Sequence, residues 1–285
     1  MTGALVLVST PIGNLGDLSP RAVDALRRAA LICCEDTRRT GKLLAHAGVD
    51  GVRLMRVDDH TELGAVEEVC DLLAAGHDVA LVSDAGTPGV SDPGARLVAA
   101  VLDGGGRVST VPGPVAAIAA LTASGFATDR FVFEGFLPRK GGERGRRLEE
   151  IAAERRTVVV YESPKRIGAT LRDLAEVAGN DRRVVVAREI TKMHEEFVRG
   201  AVGDLASRFA DAPKGEIVLV VEGAAAPPEA DDAAIRRALA DALAAGATTR
   251  DAAAAAAADL GVPKRRAYDL ALAMRARAGG DAASP

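Results

Sequence analysis

The feature that most constrains the fold is a repeated alternation of short, apolar, β-branched runs with Ala-rich amphipathic stretches. The first run, ALVLV at residues 4–8, stops at the turn residues Ser9-Thr10-Pro11. A helix is predicted soon afterwards, with Ser19 as its N-cap and Pro20 at its first position. Alternating strand and helix patterns predict an α/β fold in which helices cover a sheet.

The alternation continues along most of the chain. Strands are predicted at residues 4–8, 31–34, 52–57, 79–82, 108–111, 157–161, 183–187 and 217–221. Helices are predicted from Pro20 onward and at 40–46, 63–75, 93–102, 115–124, 165–178 and 203–209. We therefore expect two consecutive α/β domains, residues 1–124 and 125–223, with ligands bound by loops at the carboxyl ends of strands.

Two regions depart from this pattern. Residues 138–147 (PRKGGERGRR) are polar and basic, and they are interpreted as a mobile loop, a domain connection or an RNA-facing segment. Residues 224–232 have the Pro and Ala content of a linker. After it, residues 233–285 form a small helical segment, in which Thr249-Arg250-Asp251 is predicted to cap one helix.

The helical segment has two interpretations. Gly261-Val262-Pro263 separates one predicted helix from the next, Lys264–Arg277, which is compatible with a helix-turn-helix. The alternative is a small helical bundle that packs on the main domain. Five cationic residues favour RNA contact, namely Lys264, Arg265, Arg266, Arg275 and Arg277.

Composition limits the classes of function. A net charge of -4 argues against a protein that simply coats nucleic acid, although it does not exclude a local basic patch. Three cysteines form neither a disulfide framework nor a zinc spacing, and Cys33 and Cys34 are predicted to be buried free thiols. Neither a signal peptide nor a run of about 20 apolar residues is present, so we expect a cytoplasmic protein without membrane association.

Three Gly/Pro-rich loops each follow a predicted strand, at 10–14, 84–89 and 112–114. Glycine lets the backbone approach a ligand closely, and proline fixes the loop. Singly they are ordinary turns, but together they favour a binding site. Motifs for nucleotide hydrolysis, dinucleotide binding and esterase catalysis are missing, and the four histidines have no metal spacing, so no metal is predicted.

Seven sequence blocks in order closely resemble the ribosomal RNA small subunit methyltransferase I family. They are STPIGNLGDLSPRA (9–22), EDTRRTGKLL (35–44), LVSDAGTPGVSDPG (81–94), VPGPVAAIAAL (111–121), DRFVFEGFLPRK (129–140), VYESPKR (160–166) and KGEIVLVVEG (214–223). Members of this family are 16S rRNA cytidine 2'-O-methyltransferases of the tetrapyrrole methylase superfamily. The resemblance implies an S-adenosylmethionine site in the cleft between two α/β domains, and a homodimer.

The resemblance also implies particular residues at the cofactor site. They are Pro11, Ala85, Gly86, Thr87, Val90, Val115, Ala116, Glu162, Ala187 and Gly215. Asp84 completes the predicted set of eleven, because it stands at a strand end facing the Gly-rich loop, which predicts a positioning role. The relatives that modify tetrapyrroles have an acidic residue before proline in the Gly-rich loop, where this chain has Thr87-Pro88. That departure favours an RNA substrate over a porphyrinoid.

A ribose hydroxyl must lose its proton during methyl transfer, so a base or a stabilising cation is expected near the methyl donor. The candidate catalytic residues are Glu35, Asp36 and Arg38, because the loop pairs possible bases with a phosphate-binding guanidinium; each acid could equally cap a turn. Candidate contacts to 16S rRNA in the small ribosomal subunit are Arg139, Lys140, Arg144, Arg146, Arg147, Lys165 and Arg166. Two alternatives stay open: a methyltransferase for a porphyrinoid or a protein side chain, and a non-catalytic RNA-binding relative.

Overall fold

The computed structural model describes residues 3–58, 61–225 and 230–280. The chain divides into two compact units, Met1–Ala224 and Ala225–Pro285. The first unit contains two five-stranded sheets with their helices, and the described part of the second contains only helices. The predicted α/β class, with two consecutive sheets and a helical segment at the end, is confirmed.

The first sheet is entirely parallel, with the strand order β3-β2-β4-β1-β5. Its strands are β1 (Ala4–Val8), β2 (Leu31–Cys34), β3 (Arg53–Arg56), β4 (Val79–Leu81) and β5 (Arg107–Val111). Every residue of β2 is buried, because helices cover both faces of the sheet. Cys33 and Cys34 are therefore buried free thiols, as predicted, and burial raises the pKa of Cys33 to about 12.

Four helices cover the first sheet: α1 (Pro20–Arg28), α2 (Thr37–Ala47), α3 (Val66–Ala74) and α4 (Ala95–Asp103), with short 3-10 turns at Leu15–Asp17 and Glu62–Ala65. The predicted cap of α1 is present, since Ser19 Oγ accepts a hydrogen bond from Ala22 N at 3.1 Å. Helix α4 begins after Gly94, which has no side chain to cap it. The buried Glu62 carboxylate does so instead, accepting from Gly94 N at 3.1 Å and from Leu97 N at 2.8 Å.

The second sheet is mixed, with the order β6-β7-β10-β8-β9. Its strands are β6 (Phe131–Phe136), β7 (Thr157–Glu162), β8 (Arg183–Arg188), β9 (Glu196–Ala201) and β10 (Ile217–Val221). Strand β10 is antiparallel to both of its neighbours. The two edge strands, β6 and β9, were not among the predicted strands. Each contains glycine within the strand, Gly135 in β6 and Gly200 in β9, next to a charged residue, so the apolar run that predicts a strand is interrupted there.

The second sheet is also covered on both faces, by α5 (Ala116–Ser124) on one side and by α6 (Gly142–Ala153), α7 (Ile167–Ala178) and α8 (Val202–Arg208) on the other. Helix α5 lies in the predicted N-terminal domain, yet its buried residues Ala117, Ala120 and Leu121 pack against the second sheet. The domain boundary at 124/125 stays a prediction. Residues 142–147 begin α6, so the loop interpretation of the stretch 138–147 is wrong for that part.

The second unit contains three helices, α9 (Asp232–Ala244), α10 (Thr249–Leu260) and α11 (Lys264–Gly280). They share an apolar core that includes Ile235, Leu239 and four buried alanines of α10. Thr248, one residue before the predicted cap, is the N-cap of α10, and Gly261 ends that helix in a left-handed conformation. Of the predicted linker and tail, residues 226–229 and 281–285 lie outside the described residues.

Candidate functional site

Three loops at the carboxyl edge of the first sheet are joined by direct contacts. Thr10 and Gly86 form an antiparallel bridge, in which each N–H donates to the carbonyl oxygen of the other, at 2.9 and 3.1 Å. The hydroxyls of Ser9 and Thr87 lie 2.8 Å apart, and Thr87 Oγ1 also donates to Pro114 O at 3.3 Å. The loops that follow β1, β4 and β5 therefore form one surface, as open α/β sheets provide for ligands.

A cavity of about 350 Å³, here called the inter-sheet cavity, lies between these loops and the second sheet. It is lined by Ile12 of the first loop, by residues of the two other loops, and by the ends of β6, β7 and β10. Seven of the eleven residues predicted at the cofactor site line it: Ala85, Gly86, Thr87, Val90, Val115, Ala116 and Glu162. The structure thus brings together residues of both sheets around a single cavity.

The other four predicted cofactor residues do not line this cavity. Pro11 is buried next to Ile12, which lines it, and Gly215 precedes Glu216, which lines it. Ala187 is fully buried in the apolar core beneath Ile12 and α5. Asp84 lies at a second cavity, described below.

Asp92 is a lining residue that the sequence prediction did not select. Three carboxylates line the inter-sheet cavity, and two have cationic partners: Glu216 pairs with Lys192 at 2.9 Å and Glu162 with Arg166 at 3.3 Å. Among the described residues Asp92 has no such partner. Burial and the nearby charge of Asp84 raise the pKa of Asp92. The sequence signal that could have identified Asp92 is a carboxylate inside a Gly/Pro-rich loop.

Aromatic rings form the wall that the second sheet contributes. Phe136 and Tyr161 both line the cavity, with ring centroids 5.6 Å apart, and Tyr161 Oη accepts from Ala117 N at 3.3 Å. Burial raises the pKa of Tyr161, so its hydroxyl stays neutral. A β-bulge at Gly135, with φ +63°, bends β6 so that Ser91 approaches it closely. That bulge brings the Gly-rich loop against the second sheet.

Hydrogen bonds and an ion pair within the protein occupy the carboxylate of Glu162. Its side chain is fully buried and accepts hydrogen bonds from Thr170 Oγ1 at 2.6 Å and Ser163 N at 2.7 Å. Its partner Arg166 also donates to Leu137 O at 2.9 Å. This network fixes the loops after β6 and β7, so Glu162 shapes the cavity wall more than it offers a free carboxylate.

A strained segment at residues 189–192 closes another side of the cavity. Glu189 and Thr191 have positive φ values of +53° and +68°, and Ile190 between them lines the cavity. Lys192 Nζ bridges Glu189 Oε1 at 2.8 Å and Glu216 Oε2 at 2.9 Å. A Cβ at Gly13 would lie 2.5 Å from Lys192 Cγ, so glycine there permits the close contact between the first loop and this segment.

A second cavity of about 450 Å³, here called the polar cavity, lies at the ends of β2, β3 and β4. All three candidate catalytic residues line it, together with Thr37, Arg56, Asp58 and Asp84. Asp84 is followed directly by Ala85 of the inter-sheet cavity, so the two cavities adjoin along one loop. The structure therefore places Glu35, Asp36 and Arg38 beside the inter-sheet cavity but not in it.

Reciprocal hydrogen bonds hold the two loops of the polar cavity together. Asp84 N donates to Glu35 Oε1 at 3.1 Å, and Asp36 N donates to Asp84 Oδ1 at 3.2 Å. Asp36 also caps α2 by accepting from Arg38 N at 2.8 Å, which explains why this helix begins three residues before the predicted start at 40. The turn-capping interpretation thus holds for Asp36.

The two acids of this loop differ in their electrostatics. Hydrogen bonds from the Arg38 side chain and backbone lower the pKa of Asp36, so it remains ionised. Burial raises the pKa of Glu35, and the charges of Asp92 and Asp84 raise it further. Glu35 is therefore better suited than Asp36 to exchange a proton.

The seven candidate RNA-contacting residues fall into two groups. Arg139, Lys140, Arg146 and Lys165 are exposed and have no ion-pair partner among the described residues. The other three are engaged within the protein. Arg144 is largely buried and pairs with Asp173 at 2.7 Å, Arg147 pairs with Glu134 and Glu150, and Arg166 belongs to the Glu162 network.

Within the described ranges, no helix is long and apolar enough to cross a membrane, and no group of three or more His, Cys, Asp or Glu side chains could hold a metal ion.

Comparison with known proteins agrees with the sequence resemblance. A model of the tetrapyrrole (corrin/porphyrin) methylase family matches residues 4–206. A Synechocystis protein named ribosomal RNA small subunit methyltransferase I is 46% identical over 277 residues, which are 96% of this chain and 99% of that protein. A Mycobacterium bovis protein of the same name is 44% identical over 283 residues, 99% of each chain. The chain belongs to the ribosomal RNA small subunit methyltransferase I family.

The fold of this ribosomal RNA small subunit methyltransferase I family member is also that of tetrapyrrole methylases of known structure. Uroporphyrin-III C-methyl transferase from Thermus thermophilus, complexed with S-adenyl homocysteine, superposes with a TM-score of 0.56 at 20% identity. The match covers 76% of this chain and 97% of that one. At this identity the likeness concerns the fold, and it confirms the predicted architecture of two α/β domains.

Proposed function

We propose that this protein transfers a methyl group from S-adenosylmethionine to 16S rRNA of the small ribosomal subunit, at the 2'-hydroxyl of a cytidine. The observation that carries the proposal is the inter-sheet cavity, where loops of the first sheet meet the ends of the second in a member of this family. The cytidine and its 2'-hydroxyl follow from the family resemblance alone.

The residues around the inter-sheet cavity suit S-adenosylmethionine. A volume of about 350 Å³ is within the range of small-molecule sites, and apolar side chains and loop backbone line most of it. Gly86 has a φ of +93°, and a Cβ there would lie 3.3 Å from Ile12 Cγ2, so glycine leaves room for a ligand. The unpaired carboxylate of Asp92 can accept hydrogen bonds from a cationic or hydroxyl-bearing ligand.

When bound, S-adenosylmethionine supplies an electrophilic methyl group on a sulfonium. The ribose oxygen forms its bond to the methyl carbon as the carbon–sulfur bond breaks, and the electron pair of that bond stays on sulfur. Glu35 is our candidate to accept the proton that the hydroxyl loses, because its pKa is raised and its loop adjoins the inter-sheet cavity. Arg38, with 87% of its side chain exposed, is our candidate to bind a phosphate of the RNA.

The four unpaired cations are our candidates for the RNA surface. Lys165 directly follows Pro164, and Arg139 lies three residues after Phe136; both Pro164 and Phe136 line the inter-sheet cavity. We therefore expect Arg139, Lys140, Arg146 and Lys165 to contact the backbone of the RNA, while the engaged Arg144, Arg147 and Arg166 hold their loops in place. A homodimer and a cytoplasmic location stay predictions.

Methyl transfer tests the function directly. The protein is incubated with isotopically labelled S-adenosylmethionine and either small-subunit particles, free 16S rRNA or a porphyrinoid, and ribose methylation is mapped in the RNA. We expect label at one cytidine 2'-oxygen. Label in the porphyrinoid would favour the first alternative, and absence of donor binding by calorimetry would favour a non-catalytic RNA-binding protein.

Charge reversal tests the RNA surface. Arg146→Glu removes an unpaired cation near the start of α6, and Arg155→Glu makes the same change just after the end of that helix. We expect Arg146→Glu to weaken binding to 16S rRNA and to leave donor binding unchanged. Equal binding by both variants and the unchanged protein would show that the RNA surface lies elsewhere.

A further inference from the structure

Helix α11 of the second unit has two chemically distinct faces. One face packs in the core of that unit through Ala267 and Ala271, which are fully buried, with Leu270 and Met274 beside them. A second face is exposed and combines cations with apolar groups: Lys264, Arg265, Tyr268, Leu272 and Arg275. At about 100° per residue these five side chains fall within an arc of roughly 100°, so they form one continuous stripe.

The stripe is positively charged. Lys264 and Arg265 have no ion-pair partner among the described residues, and Arg275 donates a hydrogen bond to the Thr249 hydroxyl at 3.3 Å. The acidic residue of α11, Asp269, lies at the edge of the stripe. Arg266 is directed away from the stripe, towards Asp232 at 2.9 Å. The side chain of Arg277 lies outside the described part of the chain.

Tyr268 is the unusual member of the stripe. The chain has no tryptophan and two tyrosines, and the other one, Tyr161, lines the inter-sheet cavity. Tyr268 is 41% exposed. Its ring does not fill the core of the unit, to which α11 contributes the small side chains of Ala267 and Ala271. An exposed aromatic ring among cations is the arrangement with which proteins bind unpaired nucleic acid, because bases stack on the ring while cations hold the backbone.

We propose that this stripe of α11 binds an unpaired segment of ribosomal RNA, with a base stacked on Tyr268 and phosphates held by Lys264 and Arg265. The identity of the RNA rests on the proposed function. An unpaired segment fits better than a duplex, because the deep and narrow major groove of A-form RNA does not admit a helix. Leu272, 46% exposed, offers an apolar contact next to the stacked base.

Tyrosine fluorescence measures the stacking. In a Tyr161→Phe variant of the full chain, Tyr268 is the one remaining tyrosine, so all tyrosine emission comes from the stripe. The probes are a 16S rRNA oligonucleotide of about 12 nucleotides and the duplex formed with its complement. We expect the single strand to quench the emission and the duplex to leave it nearly unchanged. No quenching by the single strand, or equal quenching by both, overturns the proposal.

Binding of 16S rRNA to full-length variants measures the affinity. Tyr268→Ala is expected to weaken binding about tenfold, and Tyr268→Phe to bind like the unchanged protein. Lys264→Ala combined with Arg265→Ala should reduce the slope of log affinity against log salt by about 2. Arg237→Ala removes one exposed cation of α9 as the control, and a reduction of the slope by about 1 in that variant refutes a surface confined to α11.

Methyl transfer separates this proposal from the function on which it rests. If the unchanged protein methylates 16S rRNA and Tyr268→Ala has the same KM for RNA, the stripe does not bind substrate and the inference alone is wrong. If the unchanged protein does not methylate 16S rRNA, the proposed function is wrong. Helix content of Tyr268→Ala, measured by circular dichroism against the unchanged protein, confirms that the helical unit of the variant is folded.

Discussion

The inter-sheet cavity and the polar cavity adjoin along one loop, yet they are built from different groups. Apolar side chains and loop backbone line the first, together with the unpaired carboxylate of Asp92. Charged side chains line the second, and most of them pair with one another, as Asp36 does with Arg38 and Asp58 with Arg56. The first suits a small ligand recognised by shape, and the second can exchange its internal pairs for the phosphates and hydroxyls of a polymer.

This difference predicts that substitutions at the two cavities have separable effects. Changes at the polar cavity should lower the rate of methyl transfer at saturating donor. Changes at the inter-sheet cavity should weaken donor binding instead.

The largest effect is expected for Glu35→Gln. Loss of a general base lowers kcat by between about 10² and 10⁴, while donor affinity stays the same because Glu35 does not line the inter-sheet cavity. Since burial raises the pKa of Glu35, kcat of the unchanged protein should rise with pH through a pKa above the ordinary glutamate value, and this rise should be missing in the variant. Asp58→Asn in the same cavity is the control, and a kcat for Glu35→Gln within a factor of about ten of the unchanged protein refutes the role.

Gly86→Val should have the next largest effect, on donor binding. The new side chain extends towards Ile12 and Pro114 O, and we expect affinity for S-adenosylmethionine to fall about a hundredfold by calorimetry. Gly89→Val introduces a similar backbone strain in the same loop, at φ +80°, but its Cβ meets nothing within 4 Å. An equal loss of donor affinity in both variants would show that backbone strain, and not the new side chain filling the cavity, weakens donor binding.

Asp92→Asn should weaken donor binding about tenfold, because it removes the unpaired negative charge from the inter-sheet cavity. At saturating donor the rate of methyl transfer should change little. Asp84→Asn, eight residues earlier in the same loop, should leave donor affinity unchanged because Asp84 lines the polar cavity. If both variants weaken donor binding equally, the two cavities act as one site.

The smallest effect is expected for Asp36→Ala, on stability. The pKa of Asp36 is lowered in the folded protein, so its contribution is present above the pKa of an unfolded aspartate and is lost as the pH falls through the lower, folded value. Loss of the α2 cap should lower the melting temperature near pH 7 by a few degrees, and this difference should shrink in acid. A difference that does not depend on pH would contradict the capping role.

The bounds of β1 and β2 agree with the prediction to the residue, because these strands are continuous apolar runs that end in turn residues. In the second sheet, the sequence predicted the interior strands better than the edge strands. The edge strands β6 and β9 were missed, since a β-bulge at Gly135 interrupts β6 and a charged residue followed by glycine, Arg199-Gly200, interrupts β9. Residues 142–147 were read as interrupting the pattern, but they begin α6, whose apolar residues Leu148 and Ile151 come later in the helix.

The site was predicted in part for similar reasons. Residues 85–87 and 115–116 were selected from the family resemblance, and they line the inter-sheet cavity; Gly and Pro mark the loops that contain or precede them. Asp92 was missed although it lies in a Gly/Pro-rich loop, and Ile190 was missed since nothing local shows that its segment faces the loops of another sheet. Arg144 was predicted to contact RNA; in the structure its guanidinium pairs with the carboxylate of Asp173, 29 residues away in the chain.

By itself the sequence determined the βα alternation, the loops with close-approach glycines and the capping of α1 by Ser19, because each depends on residues near one another in the chain. It also indicated the family, through seven blocks that occur in order along the chain. Only the tertiary structure decided that α5 packs on the second sheet, that Glu62 caps α4, and that Asp92 is left without a cation beside a cavity. These depend on which distant groups meet, since a buried carboxylate is stabilised or left unpaired by whatever the fold places next to it.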